Sequence, residues 1–303
     1  MSVRSGELDR LVVDEGESFR SSARRSAVGN RVLQAALLTV LACGAALFML
    51  PLYIMLAISL KSRAEAANTS PWSWPVNVTF GNYRQVWTDP TINFLHALGN
   101  TLILSVIPTI GTVITASLVA FAFARLNFRG RDRLFIVLLS TMMLPGIVTM
   151  IPGYVLMASL HWIDTFKPWI VGSLLGGGAF NIFLIRQFML SIPREMDEAA
   201  KIDGASNAVI FWRLVFPNCG PVLATVAIFS FLGGYRDYLG PLMMLNSPEK
   251  QPLEVALKSL QGSHSTEFNL LMAGSMITTI PLVGLFIFCQ RYFMRGITLT
   301  GGK

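Results

Sequence analysis

Six stretches of this chain contain no Asp, Glu, Lys or Arg: residues 32–60, 90–124, 134–163, 168–185, 214–235 and 268–290. A helix rises about 1.5 Å per residue, so crossing a hydrocarbon core takes roughly 20 apolar residues, with about 17 as the lower limit. All six runs pass, 168–185 by the smallest margin. Charged residues make up 14% of the chain and the mean hydropathy is +0.56, whereas soluble domains carry about 25% charged residues. The pattern predicts an all-α integral membrane protein. Its six transmembrane helices fall at about 33–58, 98–123, 134–158, 168–189, 218–245 and 269–290, with a longer connecting loop at 190–216.

The net charge of +7 follows topology and does not point to nucleic acid. With the N-terminus cytoplasmic, 17 Lys and Arg lie in inner segments and 6 in outer ones, with Arg236 inside a hydrophobic stretch. This positive-inside bias predicts both termini in the cytoplasm. Residues 1–30 are polar and lack an apolar signal-peptide core, so they read as a cytoplasmic arm preceding a membrane domain at 31–303. Five of the six tryptophans (Trp72, Trp74, Trp87, Trp162 and Trp169) fall on or near outer segments, as in an interfacial aromatic belt. Pro51, Pro145 and Pro152 lie within the expected spans, with a kink expected at Pro51. Gly176-Gly177-Gly178 in the fourth allow neighbouring helices to approach closely. Cys43, Cys219 and Cys289 are isolated, and the three histidines are scattered. Neither a disulfide framework nor a metal site is expected.

The loop at 190–216 carries the most local information. Pro193 suits the first turn of a helix, where Glu195 and Asp197 favour the positive end of its dipole. Ala199 and Ala200 leave a surface that another protein can approach. Gly204 can end the helix with a positive φ, and Ser206 can cap a second helix carrying Phe211, Trp212 and Leu214. The residues by themselves leave two readings open, an amphipathic connector or a docking element.

The run Glu198-Ala199-Ala200-Lys201-Ile202-Asp203-Gly204-Ala205, followed by Phe211 and Pro217, resembles the EAA loop of ABC-importer permeases. Over about 31–303 the chain is similar to the MalG-like subunits of carbohydrate importers. The similarity shows at Asn100-Thr101, Phe128-Arg129-Gly130, Phe183 to Phe188 before Ile192-Pro193, and Gln290-Arg291-Tyr292-Phe293. The terminal Gly296 to Lys303 resembles the family's tail, departing from it at Leu299 and Thr300. This resemblance implies the type I ABC importer permease fold in a bacterial inner membrane. It implies that Glu198, Ala199, Ala200, Asp203, Gly204 and Ala205 form a coupling helix on an ATPase. The implied partners are a second, MalF-like permease, two ATP-binding subunits and an external solute-binding protein. The chain lacks a Gly-x-x-x-x-Gly-Lys-Ser/Thr phosphate loop. ATP and Mg are therefore expected on the partner, and no cofactor or catalytic residue on this chain.

Asp237 is the only acid within an expected span, and Arg236-Asp237 would lie in the outer half of the fifth. Ionisable groups there face a bundle interior or a water-filled cavity. Tyr235 and Asp237 are accordingly candidates for the solute path, with Arg236–Asp237 pairing or snorkelling of Arg236 as the plainer account. Relatives usually show Trp-Asn-Asp/Glu here, so only Asp237 matches. The expected solute is an oligosaccharide or related carbohydrate. A glycerol phosphodiester is the alternative within the family, and an ion-coupled secondary transporter would need more intramembrane carboxylates. A membrane enzyme lacks the necessary cluster of catalytic side chains.

Overall fold

The computed structural model describes residues 33–89, 92–258, 260 and 267–298, with side chains to 287 and at Cys289. The expected arm at 1–30 and the tail residues from Leu299 lie outside the described residues. In order, the elements are α1 (Leu33–Ser59), α2 (Arg63–Asn68), α3 (Gly81–Thr88) and α4 (Phe94–Arg125). Next come α5 (Arg131–Ser140), α6 (Gly146–Ser159), α7 (Lys167–Leu174), α8 (Ala179–Ser191), α9 (Glu195–Ile202) and α10 (Asn207–Val209). A π-helical stretch (Ile210–Val215) leads to α11 (Phe216–Asn218), α12 (Gly220–Tyr235), α13 (Leu239–Met244), α14 (Leu253–Lys258) and α15 (Phe268–Thr298). No strand occurs among the described residues.

Two compact units divide between Ala57 and Ile58. The first holds α1 as far as Ala57. This helix runs unbroken through Pro51. Its apolar side chains are open, Phe48 at 82%, and call for lipid or another chain to cover them.

In the second unit, α4 is the central post. It packs against α12, α8 and α7, and two glycines bring the backbones together. A Cβ on Gly234 would lie 2.9 Å from the Leu104 carbonyl oxygen, and one on Gly177 2.8 Å from that of Thr112. Small residues drive such approaches in lipid, where burial brings no hydrophobic gain. Thr115 adds a hydroxyl bond to the Ser173 carbonyl at 2.8 Å.

Among the described residues four helices are long and apolar enough to cross a membrane, and two bent pairs bring the number to six if each pair is one crossing. The third and fifth expected spans are therefore not straight. The third bends by 100° between Met143 and Gly146. Pro145 disfavours helical backbone at Leu144, which is extended at ψ 118°. At the start of the fifth, the chain bends by 79° at Cys219 between the loop helices and α12, with Pro217 and Pro221 on either side. The expected helix 218–245 also stops at Tyr235. Pro241 would clash with the carbonyl of residue 237 in a continuous helix. In the fourth, Gly176, Gly177 and Gly178 all have positive φ and separate α7 from α8.

Two apolar cores lie at opposite ends of α4. One joins Ala116, Ala120, Phe121 and Ala124 to Ile185, Met189, Phe211, Val215 and Cys219 at the arginine-rich end. The other joins Phe94 and Ala97 to Val86, Leu253 and Leu270. Around this second core, polar side chains fasten the connecting segments. Lys61, fully buried, donates to Thr69 Oγ1, the Ser70 carbonyl and Ser73 Oγ at 3.0, 2.8 and 3.0 Å. Asn100 Nδ2 donates to the carbonyls of Glu249 and Gln251, and Thr101 Oγ1 accepts from the Leu253 amide. Asp164 binds Lys250 Nζ at 2.8 Å and Ser247 Oγ at 2.6 Å. These bonds hold its carboxyl well below its ordinary pKa, the lysine bond contributing most.

Candidate docking loop and transport path

The loop following α8 folds as a helical hairpin. Glu195, Asp197 and Glu198 occupy the first turn of α9 and Lys201 the last, matching the helix dipole at both ends. Gly204 stands at φ +81°. Its amide donates to the Lys201 carbonyl at 3.0 Å, and the Ala205 amide reaches the Ala200 carbonyl at 2.9 Å. This is the Schellman pair of bonds that stops a helix at a left-handed residue. Ser206 then caps the next helix, its Oγ accepting from the Val209 amide at 3.4 Å. Both cap assignments agree with the sequence reading. One does not: Pro193 precedes the N-cap Arg194 and lies outside the first turn. Ser191 still belongs to α8, and Ile192 and Pro193 form the extended joint between the helices.

Glu198, Ala199, Asp203 and Gly204 are exposed, while Ala200 and Ala205 are half-buried against the arginine-end core. Met196 (38%), Val209 (40%), Trp212 (48%) and above all Ile202 (87%) show apolar surface beside them. Phe211 faces the other way, 2% exposed, with its ring edge-on to Phe121. The hairpin thus anchors by one aromatic and offers a mixed apolar and acidic face.

Sequence reasoning missed the residues that hold this hairpin to the spans. Arg125 Nε lies 3.3 Å from Asp197 Oδ2. Its Nη2 donates to the carbonyls of Met189 and Ile192 at 2.8 and 2.9 Å. Arg194 Nη2 reaches the Ala124 carbonyl at 3.2 Å and Arg186 Nε that of Phe123 at 3.4 Å. The last carbonyls of a helix have no partner within it, and here guanidinium groups supply one. The only signal in the sequence was the position of Arg125 at the end of a charge-free run.

The two candidate path residues separate. Tyr235 is 2% exposed and its hydroxyl donates to the Thr278 carbonyl at 3.0 Å. It borders a cavity of about 370 Å³ shared with Arg236, Glu254, Lys258, Ser275 and Thr279. Asp237 accepts from Trp169 Nε1 at 3.0 Å and from the Gly240 amide at 3.2 Å. No ion pair joins Arg236 and Asp237 among the described residues. Asp237 and Trp169 border a second cavity of about 340 Å³, lined also by Pro108, Thr112, Ser230 and Gly233. Trp169 lends its indole N–H to this carboxylate.

The comparisons with known proteins agree with this architecture. Residues 112–298 match the family described as "Binding-protein-dependent transport system inner membrane component". The chain is 32% identical over 229 residues to the arabinooligosaccharides transport system permease protein AraQ of Halalkalibacterium halodurans, covering 76% of this chain and 81% of that one. It is 29% identical over 263 residues to the melibiose/raffinose/stachyose import permease protein MelC of Bacillus subtilis, covering 86% and 93%. Its fold is similar to a chain of a bacterial ABC transporter involved in the import of the acidic polysaccharide alginate. That crystal structure matches with a TM-score of 0.76 and 26% identity, over 88% of this chain and 98% of the other. The chain belongs to the family of binding-protein-dependent transport system inner membrane components, as a permease subunit of the ABC sugar-importer kind.

Proposed function

We propose that this chain translocates a carbohydrate across a bacterial inner membrane as one of two permease subunits, driven by ATP hydrolysis on separate chains. The observation that carries this reading is the hairpin of α9 to α11, whose exposed face offers Glu198, Ala199, Ile202 and Gly204 next to the ends of two long apolar helices. An apolar side chain as open as Ile202 is unfavourable in water and favourable in a protein cleft. The arginine-rich end is then cytoplasmic, in keeping with the positive-inside bias. The bent pair of α5 and α6 makes the third of six crossings, and the fifth begins with α12, beyond the docking hairpin. A binding protein delivers solute at the opposite face. ATP and Mg belong to the two docked ATPase chains, because this chain carries no phosphate-binding loop.

The solute path includes Asp237 and the ring of Trp169. A carboxylate accepts hydrogen bonds from sugar hydroxyls, and an aromatic face packs against a sugar's C–H surface. Tyr235 supports the path from behind through its bond to Thr278. The test is co-expression with the cognate ATPase and binding protein, using arabino- and galacto-oligosaccharides as uptake probes. Two ATPase chains should co-purify, and uptake should stop with a hydrolysis-dead ATPase. Uptake that persists there, or that follows an ion gradient, would sink the proposal.

A further inference from the structure

The Arg125–Asp197 pair is buried where neither the exposed docking face nor the cavities give it a task. The two side chains are 3% and 10% exposed. Buried pairs are weak stabilisers: apolar replacement of both partners is often neutral, whereas loss of one leaves an uncompensated charge. What such a pair supplies well is geometry. The guanidinium is planar, permanently charged and presents its donors in a fixed fork. Nη2 of this fork donates to the carbonyls of Met189 and Ile192 at the end of α8. Nε stands 3.3 Å from the Asp197 carboxylate in the first turn of α9 as an ion pair, with no hydrogen bond made by Nε or Nη1 among the described residues. Arg125 is itself the last residue of α4. Arg194 and Arg186 return bonds to Ala124 and Phe123, so the final turn of α4 is tied in both directions.

We infer that Arg125 is a positioning residue that locks α9 to the ends of α4 and α8, so that displacement of α9 carries both spans with it. The inference rests on the reading that α9 docks on an ATPase. A docking helix on a flexible joint would absorb the closing motion of that ATPase. Held by a buried fork, it instead turns with α4, which in turn packs on α12 and α7 and borders the 340 Å³ cavity through Leu104, Pro108 and Thr112.

The test uses the full importer complex with Cys43 and Cys289 replaced by Ser and a reporter Gly172→Cys at that cavity. A Cβ at Gly172 meets nothing within 4 Å. Maleimide labelling is timed before and after trapping with Mg-ATP and vanadate. In the parent, trapping changes the labelling rate by about tenfold, the scale of typical allosteric coupling. In the Arg125→Met/Asp197→Leu double variant and in Asp197→Asn, both ATPase chains stay bound and still trap nucleotide. The reporter rate no longer responds. A parental response in either variant overturns the inference, as does a parent with no response. Loss of the ATPase chains from these variants also overturns it, since the pair would then only shape the docking surface. Failure of both variants to accumulate does the same, by making the pair a folding requirement. Full ATPase retention by Ile202→Glu and Gly204→Pro strikes the docking reading itself.

Discussion

The indole Nε1 of Trp169 donates to Asp237 Oδ2 at 3.0 Å, joining two residues 68 positions apart across the wall of one cavity. Trp169→Phe keeps the ring and removes the donor. A hydrogen bond to a charged group contributes about 1.5–3 kcal/mol, so the variant is expected to unfold at lower temperature. Asp237→Asn keeps the shape and loses the charge. If the carboxylate meets solute, its KM for uptake rises while abundance stays unchanged. An unaltered KM would restrict Asp237 to its bonds with Trp169 and Gly240.

Gly177 has a left-handed backbone and faces α4 directly. A methyl there would lie 2.8 Å from the Thr112 carbonyl and 2.9 Å from Ala116 Cβ. Overpacking costs typically 1–3 kcal/mol and the left-handed conformation about 1–2 more. Gly177→Ala should therefore lower both membrane abundance and thermal stability. Gly153→Ala, within α6 and with open space around it, should match the parent in the same thermal assay.

Asp164 titrates well below its ordinary value of 3.8, chiefly through the Lys250 bond. A depressed carboxylate stabilises above its unfolded pKa and loses that contribution as pH falls through the folded one. The Asp164–Lys250–Ser247 contact should thus contribute equally from pH 8 down to pH 5. The difference in melting temperature between the parent and Asp164→Asn is expected to stay constant over that range. It should shrink only under strongly acidic conditions.

Ile202, 87% exposed, makes little contact with its own chain and belongs to the proposed docking face. Exposed substitutions usually alter stability by no more than about 0.5 kcal/mol. Ile202→Glu should therefore fold normally yet retain fewer ATPase chains through size-exclusion chromatography. Equal retention would place the docking surface elsewhere.

Much of the loop at 190–216 could be read locally because its determinants are local. Gly204 ends α9 and Ser206 starts the next helix through bonds spanning three to five residues. Residue chemistry at one position dictates such caps. Pro193 was placed inside the first turn and lies just before the N-cap Arg194, because the Ile192–Pro193 joint depends on where α8 ends. The prolines at 145, 217, 221 and 241 were visible, yet their bends of 100° and 79° were not. A proline removes a helical bond, while packing of the flanking segments sets the resulting angle.

The sequence by itself determined the all-helical membrane class, the positions of the apolar runs and the caps of the hairpin at α9 to α11. Each rests on spacing along the chain: charge-free length for a span, and one or two turns for a cap. Only the tertiary structure decided the partners of the polar groups. Asp237 meets Trp169 and not Arg236, Tyr235 turns to Thr278, and Arg125 reaches Met189 and Ile192 across 64 and 67 residues. A buried polar group must find a partner, but which one depends on how the helices cross. Here the crossings are governed by close approaches at Gly177 and Gly234, where the absence of a side chain lets α4 pass.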